Sequence, residues 1–366
     1  MAYRGQGRDC RFVWYPCYQS AYIGNWTVQA AGAVGTFGTG YQIPWEVESF
    51  TPRHDYGKRR TTALSPVGWH TIGKRAAPFE SHGFDVTGPV TPMSILYPMM
   101  FFCNRQGMTA LGTVNNGDKV YSWVGQPQAG RGSTVSSYTW PAALGGRILY
   151  DVGTSDAFDP ALPESIELRF DEDGELSMTV SCFAATCYEG TVLNCADGTN
   201  IDVEPACAFK AANGTVRYNG TVTAVKNGVI RLSRTLTPHR GLGSGTLAGA
   251  VSYGDVSGSG DFTFYLETQS DWDAIEHDCR LTTCGTLTFD YTGSTSLNGT
   301  AGNDEKIKGT VFIDPLRVVK PAAAGELMRT LEWEMAGPDH DSSPTVPFDF
   351  EGTFHLPYTT SLGVPW

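Results

Sequence analysis

Apolar and polar residues alternate along much of this chain, at the period of a strand with one buried face. Between Gly285 and Tyr291, Leu287, Phe289 and Tyr291 fall on one side, and Thr286, Thr288 and Asp290 on the other. The same period runs through Phe262, Phe264 and Leu266, through Leu176, Met178 and Val180, and through Ile166, Leu168 and Phe170. Ile43, Trp45, Val47 and Phe50 follow it loosely, and residues 145–151 supply further strand. Asn116-Gly117, Asn219-Gly220 and Asn227-Gly228 mark turns, because both central residues of a type I′ hairpin turn need positive φ. Helical signals are few. Thr91 caps a short helix over Pro92 to Met100 that Pro98 interrupts. Ser270, with Asp273 three residues on, opens a second through Ala274 and Ile275. The pattern predicts a mainly β protein.

Some of it occurs twice. Gly174-Glu175-Leu176 is echoed by Gly325-Glu326-Leu327, each after an apolar-rich run and each leading into a strand. In the second copy, Leu327, Leu331, Trp333 and Met335 share a face. Thr51-Pro52-Arg53-His54 answers Thr237-Pro238-His239-Arg240, and Asp85-Val86-Thr87-Gly88 answers Asp255-Val256-Ser257-Gly258. The echoes keep the same order, which predicts a diverged tandem duplication of one β-rich unit.

The expected organisation follows. Residues 1–30 form an N-terminal arm, in which Trp14, Tyr18, Tyr22 and Trp26 recur every fourth position while Pro16 and Gly24 oppose a regular helix. Such an arm packs on its own core or on a neighbouring chain. Residues 31–190 form a first unit, 191–212 a connection or inserted hairpin, 213–357 a second unit and 358–366 a C-terminal tail. Within the first unit, 51–80 is a long irregular loop with no clear period. It carries Arg53, Lys58, Arg59, Arg60, Lys74 and Arg75 against Asp55 and Glu80. Long loops in compact domains usually have a task.

With 366 residues the chain exceeds one ordinary core. A net charge of −12 argues against gripping nucleic acid by its phosphates and against an anionic membrane. No stretch reaches the roughly 20 apolar residues of a membrane helix. The start has no apolar signal-peptide core, so the expectation is a protein made and kept in a cytoplasm. Its nine cysteines include no Cys-x-x-Cys and read as buried free thiols, with one local disulfide or metal left open between Cys182 and Cys207. The sequons at Asn25, Asn213, Asn219 and Asn298 read as turns.

Catalytic patterns are weak. Gly243-Ser244-Gly245 does not complete a nucleophile elbow. Gly243, Gly245 and Ala248 form a partial dinucleotide fingerprint that opens no helix. The histidines have no metal-ligand spacing, and Asp339-His340-Asp341 sits between Gly337-Pro338 and Ser342-Ser343-Pro344, the composition of a solvated loop. No spacing selects a carboxylate pair for acid–base work. The expectation is no enzyme, no cofactor and no metal.

From about Thr36 to Pro357 the chain resembles the major tail tube proteins of long-tailed bacteriophages. Four stretches carry the resemblance: Gly35-Thr36-Phe37-Gly38-Thr39-Gly40-Tyr41-Gln42-Ile43-Pro44 followed by Val47 to Pro52; the strand ending Val86-Thr87-Gly88 with its short helix; the Thr286 to Phe289 strand; and the Gly-Glu-Leu strand followed by Pro344-Thr345-Val346-Pro347-Phe348. The resemblance implies two tandem β-sandwich or half-barrel tube domains, each with a short flanking α-helix. It implies rings of three chains, or six, stacked into a tube in the virion tail and assembled in the host cytoplasm. The implied partners are further copies of itself, the tape measure protein, and the tail terminator and distal tail proteins. Viral DNA is met only in transit, and no membrane is involved.

That role suits the composition. Open strand edges are a liability unless paired, and a ring pairs them. Excess acid lining a channel repels DNA and lets it slide. The six cations of residues 51–80 then suit an acidic patch on the next ring. The alternatives from other classes are a secreted carbohydrate-binding β-sandwich, suggested by the aromatic arm and sequons, and a hydrolase on a β scaffold.

Overall fold

A computed structural model describes residues 11–17, 43–45, 47–55, 59–64, 70–75, 81–103, 108–113, 119–125, 143–149, 155–191, 208–239, 250–265, 284–293, 305–319, 328–336 and 348–356, with scattered positions between 273 and 280. In chain order the strands are β1 (Arg11–Cys17), β2 (Ile43–Trp45), β3 (Ser49–Asp55), β4 (Arg59–Leu64), β5 (His70–Arg75) and β6 (Ser81–Pro89). Helix α1 (Pro92–Phe102) follows, then β7 (Met108–Thr113), β8 (Lys119–Gly125), β9 (Ala143–Leu149), β10 (Ser155–Asp171) and β11 (Ser177–Thr191). The rest are β12 (Gly214–Tyr218), β13 (Thr221–Thr223), β14 (Val225–His239), β15 (Ala250–Tyr265), β16 (Gly285–Thr292), β17 (Lys306–Val319), β18 (Met328–Met335) and β19 (Phe348–Leu356). The fold is mainly β, as the alternation predicts. All strands but β4 and β5 join one barrel-like antiparallel network.

The network contains one strand order twice. In the first half β3 pairs β6, β6 pairs β11, β11 pairs β10 and β10 pairs β9. In the second, β14 pairs β15, β15 pairs β18, β18 pairs β17 and β17 pairs β16. Each half carries helix after its second strand: α1 after β6, and helical residues between Asp273 and Arg280 after β15. The Gly-Glu-Leu echo falls in sequence between paired strands in both halves, β10 and β11 in the first and β17 and β18 in the second, where Gly325-Glu326-Leu327 lie outside the described residues. The other two echoes occupy unmatched places. Thr51 stands opposite Asp85, inside its Asp-Val-Thr-Gly run, whereas Thr237 stands opposite Ser252, ahead of Asp255. Recurrent Thr, Pro and Gly suffice to produce such echoes.

The halves share one contiguous core. Phe12, Trp14, Phe84 and Phe158 cluster in the first half, Phe262, Phe289 and Trp333 belong to the second, and Phe170 of β10 meets Phe262 and Phe289 across the two. Burial of such aromatics supplies most of the drive to fold. Strand β16 buries Leu287, Phe289 and Tyr291 in strict alternation, and β11 buries Met178 and Val180 beyond buried Leu176, both as expected. Leu331 and Trp333 share the buried face of β18, while Leu327 lies outside the described residues.

Several expectations change. Trp14 lies in a strand, paired with β2 and β9 and fully buried beside Phe12, so part of residues 1–30 belongs to the chain's own core. Tyr18, Tyr22 and Trp26 lie outside the described residues. Helix α1 begins as expected, with Thr91 Oγ1 accepting from the Ser94 amide at 3.2 Å and Ser94 Oγ accepting from the Thr91 amide at 2.8 Å. It runs through Pro98 to Phe102, because Ile95, Leu96, Met99 and Phe102 are all buried and their packing outweighs the lost hydrogen bond. Asn219-Gly220 makes the expected turn, with φ of 48° and 82°. Asn227-Gly228 does not; it continues β14, pairing with Asp171 and Phe170. Gly228 is needed there because a Cβ would stand 2.3 Å from Phe262 Cδ1. The tip at Asn116-Gly117 lies outside the described residues, flanked by the paired strands β7 and β8. Residues 51–80 are not an irregular loop: β3 runs to Asp55, and β4 and β5 form a hairpin. Cys182 and Cys187 lie in β11, within the first unit. Cys103 and Cys182 are buried, and Cys182 is a free thiol that burial pushes well above its ordinary range.

Candidate assembly edges

The two halves meet strand to strand. The C-terminal half of β10, Ser165–Asp171, has β11 on one side and β14 on the other. On the core side of this seam Ile166 faces Leu232 and Leu168 faces Ile230, all buried. On the other side Arg231 Nε donates to Glu167 at 2.8 Å and Arg169 Nε to Glu167 at 2.6 Å. Partial burial raises the Glu167 pKa, but the two guanidinium groups outweigh it and hold the carboxyl below its usual range. Arg234 of β14 is buried and ties the halves further. Its Nη1 donates at 2.7 Å to the carbonyl of Phe102 at the end of α1, and its Nε at 3.2 Å to Gly254. A cation at a helix C-terminus is favoured by the exposed carbonyls there.

One continuous eight-stranded sheet results, in the order β3, β6, β11, β10, β14, β15, β18, β17. Among the described residues its two margins have a neighbour on one side only. Strand β3 pairs β6 alone. Beyond Ile313, β17 pairs β18 alone, since β16 ends at that residue. Among the described residues, the large apolar side chains left exposed are Leu316 (52%) and Val319 (37%), both on this stretch of β17. On β3, Phe50 and His54 are half-buried and Pro52 is exposed. His54 and His82 face one another across β3 and β6 with Nδ1 atoms 3.2 Å apart, a pairing no sequence spacing signals.

The face of this sheet away from the core is polar. Hydroxyls pair across strands, as in Thr87 with Thr179 at 2.8 Å, Ser233 with Ser257 at 2.8 Å and Thr263 with Thr330 at 3.0 Å. The carboxylates of Asp55, Asp85, Glu167, Asp171, Asp261, Glu332 and Glu334 outnumber the guanidinium groups of Arg53, Arg169, Arg231 and Arg317 on it.

Of the six cations expected to act together, the five that are described separate into two places. Arg53 lies in β3, held by Glu164 at 3.0 Å, Asp85 at 3.5 Å and the Cys182 carbonyl at 2.8 Å. The β4–β5 ribbon sets Arg59 opposite Arg75 and Arg60 opposite Lys74, so two adjacent rungs carry four cations. Lys58 lies outside the described residues. Like charges directly opposed destabilise a ribbon unless something acidic approaches it. Among the described residues no cluster of His, Cys, Asp and Glu forms a metal site; Asp339-His340-Asp341 lies outside them.

A scan against protein-family models finds no match to this chain, and a search of curated proteins finds none either.

Proposed function

We propose that this chain is a structural virion protein that polymerises as stacked rings into a phage tail tube, the conduit for the genome and the housing of the tape measure. The observation that supports this most is the eight-stranded sheet with open margins at both ends and an edge-to-edge joint in its middle. A chain that already joins its halves by strand edges, and among its described residues leaves two edges unmatched, is suited to repeat the joint. The recurrent strand order supports two tandem tube domains per chain, each with its flanking helix.

Three chains would contribute about 24 strands, a circumference of ~115 Å and a diameter of ~37 Å before strand tilt widens it. Duplex DNA fits such a bore. The polar, acid-rich face then lines the channel and repels passing DNA. The basic rungs of β4–β5 reach an acidic patch on the adjacent ring. Partners at the tube ends are the tail terminator and distal tail proteins.

Negative-stain microscopy of the purified chain tests the proposal. Rings or tubes with an open bore support it; monomers persisting at high concentration overturn it. Charge reversal of Arg59 and Arg60 together should shorten or abolish tubes while leaving the monomer's circular dichroism unchanged.

A further inference from the structure

Resting on that tube function, the internal seam supplies the register of the joint between chains. Two independent anchors superpose the halves. The first is an ion pair set diagonally across two strands. Arg53 reaches Asp85 at 3.5 Å, and Arg231 reaches Asp261 at 3.6 Å. In both, the acid's neighbour across the ladder lies two residues before the arginine: Thr51 opposite Asp85, and Val229 opposite Asp261. The second anchor is the Gly-Glu-Leu echo in the sequence, which matches Val180 with Leu331. The anchors sit on different strands, yet they agree. Val86 pairs Val180 in the first half, and Phe262, the residue after Asp261, pairs Leu331 in the second.

This superposition lays β3 (Ser49–Asp55) onto Asn227–Ser233, the segment of β14 that pairs with β10. It lays the C-terminal half of β10 onto β17 from Arg317 onward, because Ile166 pairs Val180 as Val318 pairs Leu331. The open margins are therefore the two sides of the internal seam, carried on opposite ends of one chain. Burial follows the same logic. Gly228, Ile230 and Leu232 are buried by β10, whereas their counterparts Phe50, Pro52 and His54 are half-buried or exposed.

We infer that β3 of a second copy adds to the free side of β17 in the β10–β14 register, setting Asp55 opposite Arg317, His54 opposite Val318 and Arg53 opposite Val319. The internal pair Ser165–Ser233 thus becomes a carboxylate facing a guanidinium. Asp55 is exposed, and Arg317, bound at 2.7 Å by its neighbour Glu332, keeps 67% of its side chain exposed. Exposed Val319 and Leu316 become covered. A cross-strand pair of opposite charge favours this register over slipped ones.

The test combines Asp55→Cys with Arg317→Cys in the full chain, treats assembled material with a short bis-maleimide, and resolves it on denaturing gels. Wild type provides the background of native thiols, and Thr51→Cys with Arg317→Cys provides a register slipped by four residues. The expected result is a ladder of linked chains in the first pair and only background in the other two. Linking in the slipped pair, or in neither although wild type forms rings, overturns the seam and leaves the tube function standing. Wild type without rings or tubes overturns both. Charge exchange gives a second measurement: Arg317→Asp alone should lose assembly, and Asp55→Arg combined with Arg317→Asp should recover it. Failure of the double variant to recover, with the monomer folded, counts against the register.

Discussion

Strands β14 and β3 hold the same place in the two halves, yet one is a core strand and the other a margin. Strand β14 has β15 on one side and β10 on the other, and it buries Ile230 and Leu232 completely or nearly so. Among the described residues strand β3 has β6 alone, and Pro52, in the place of Ile230, is exposed. The difference teaches that burial here is conferred by the next strand along, not by the residue type. A phenylalanine at position 50 is only half-buried, while a glycine in its matching place at 228 is buried.

The comparison can be broken at several points. The largest effect is expected for Ile230→Ala, which should cost about 2–4 kcal/mol by chemical denaturation, because the side chain is fully buried opposite Leu168. Pro52→Ala should stay within about 0.5 kcal/mol in the monomer. Equal costs would mean that β3 is not a free margin. Next is Arg234→Met, which removes the donor to the Phe102 and Gly254 carbonyls and should cost about 1–3 kcal/mol. Hydrogen exchange at the end of α1 should quicken with it. Gly228→Ala should cost about 1–3 kcal/mol, since the added methyl meets the Phe262 ring; an unchanged midpoint would show that the ring gives way.

Smaller effects concern charge and the outer margin. The Glu167 carboxyl is held below its ordinary range, so its contribution is whole above the usual carboxylate pKa and is lost as pH falls through the lowered value. Solvent screens this partly exposed network, which limits the loss to roughly 1 kcal/mol or less. Glu167→Gln should flatten that part of the stability-versus-pH curve, read by thermal unfolding at a series of pH values. Least affected in the monomer is Leu316→Ser with Val319→Ser, within about 0.5 kcal/mol because both are exposed. Sedimentation should nevertheless show weaker self-association, and undiminished association would remove these residues from the joint.

Much of the β character was legible. Period-two alternation named β16 and the buried faces of β11 and β18, and Asn219-Gly220 and Thr91 mark local geometry that few other residues satisfy. The ribbon of β4 and β5 was not legible: a two-stranded unit paired only to itself needs no apolar face on a core, so it leaves no alternation to read. The turn expected at Asn227-Gly228 failed for a different reason. A glycine that admits a neighbouring ring has the same local signature as one that admits positive φ. The charge cluster divided because proximity in sequence put Arg53 beside Lys58, while the ladder with β6 drew Arg53 onto Asp85 and Glu164.

By itself the amino-acid order determined what lies within a few residues: which positions alternate, where a helix begins, which turn reverses a strand, and that acid exceeds base. Only the folded chain decided which strand lies beside which, that one strand order occurs twice, and that among the described residues β3 and the end of β17 have no second neighbour. The physical reason is that ladder hydrogen bonds join backbone to backbone. They record no side-chain identity, so partners far apart in the chain are chosen by the packing of whole faces.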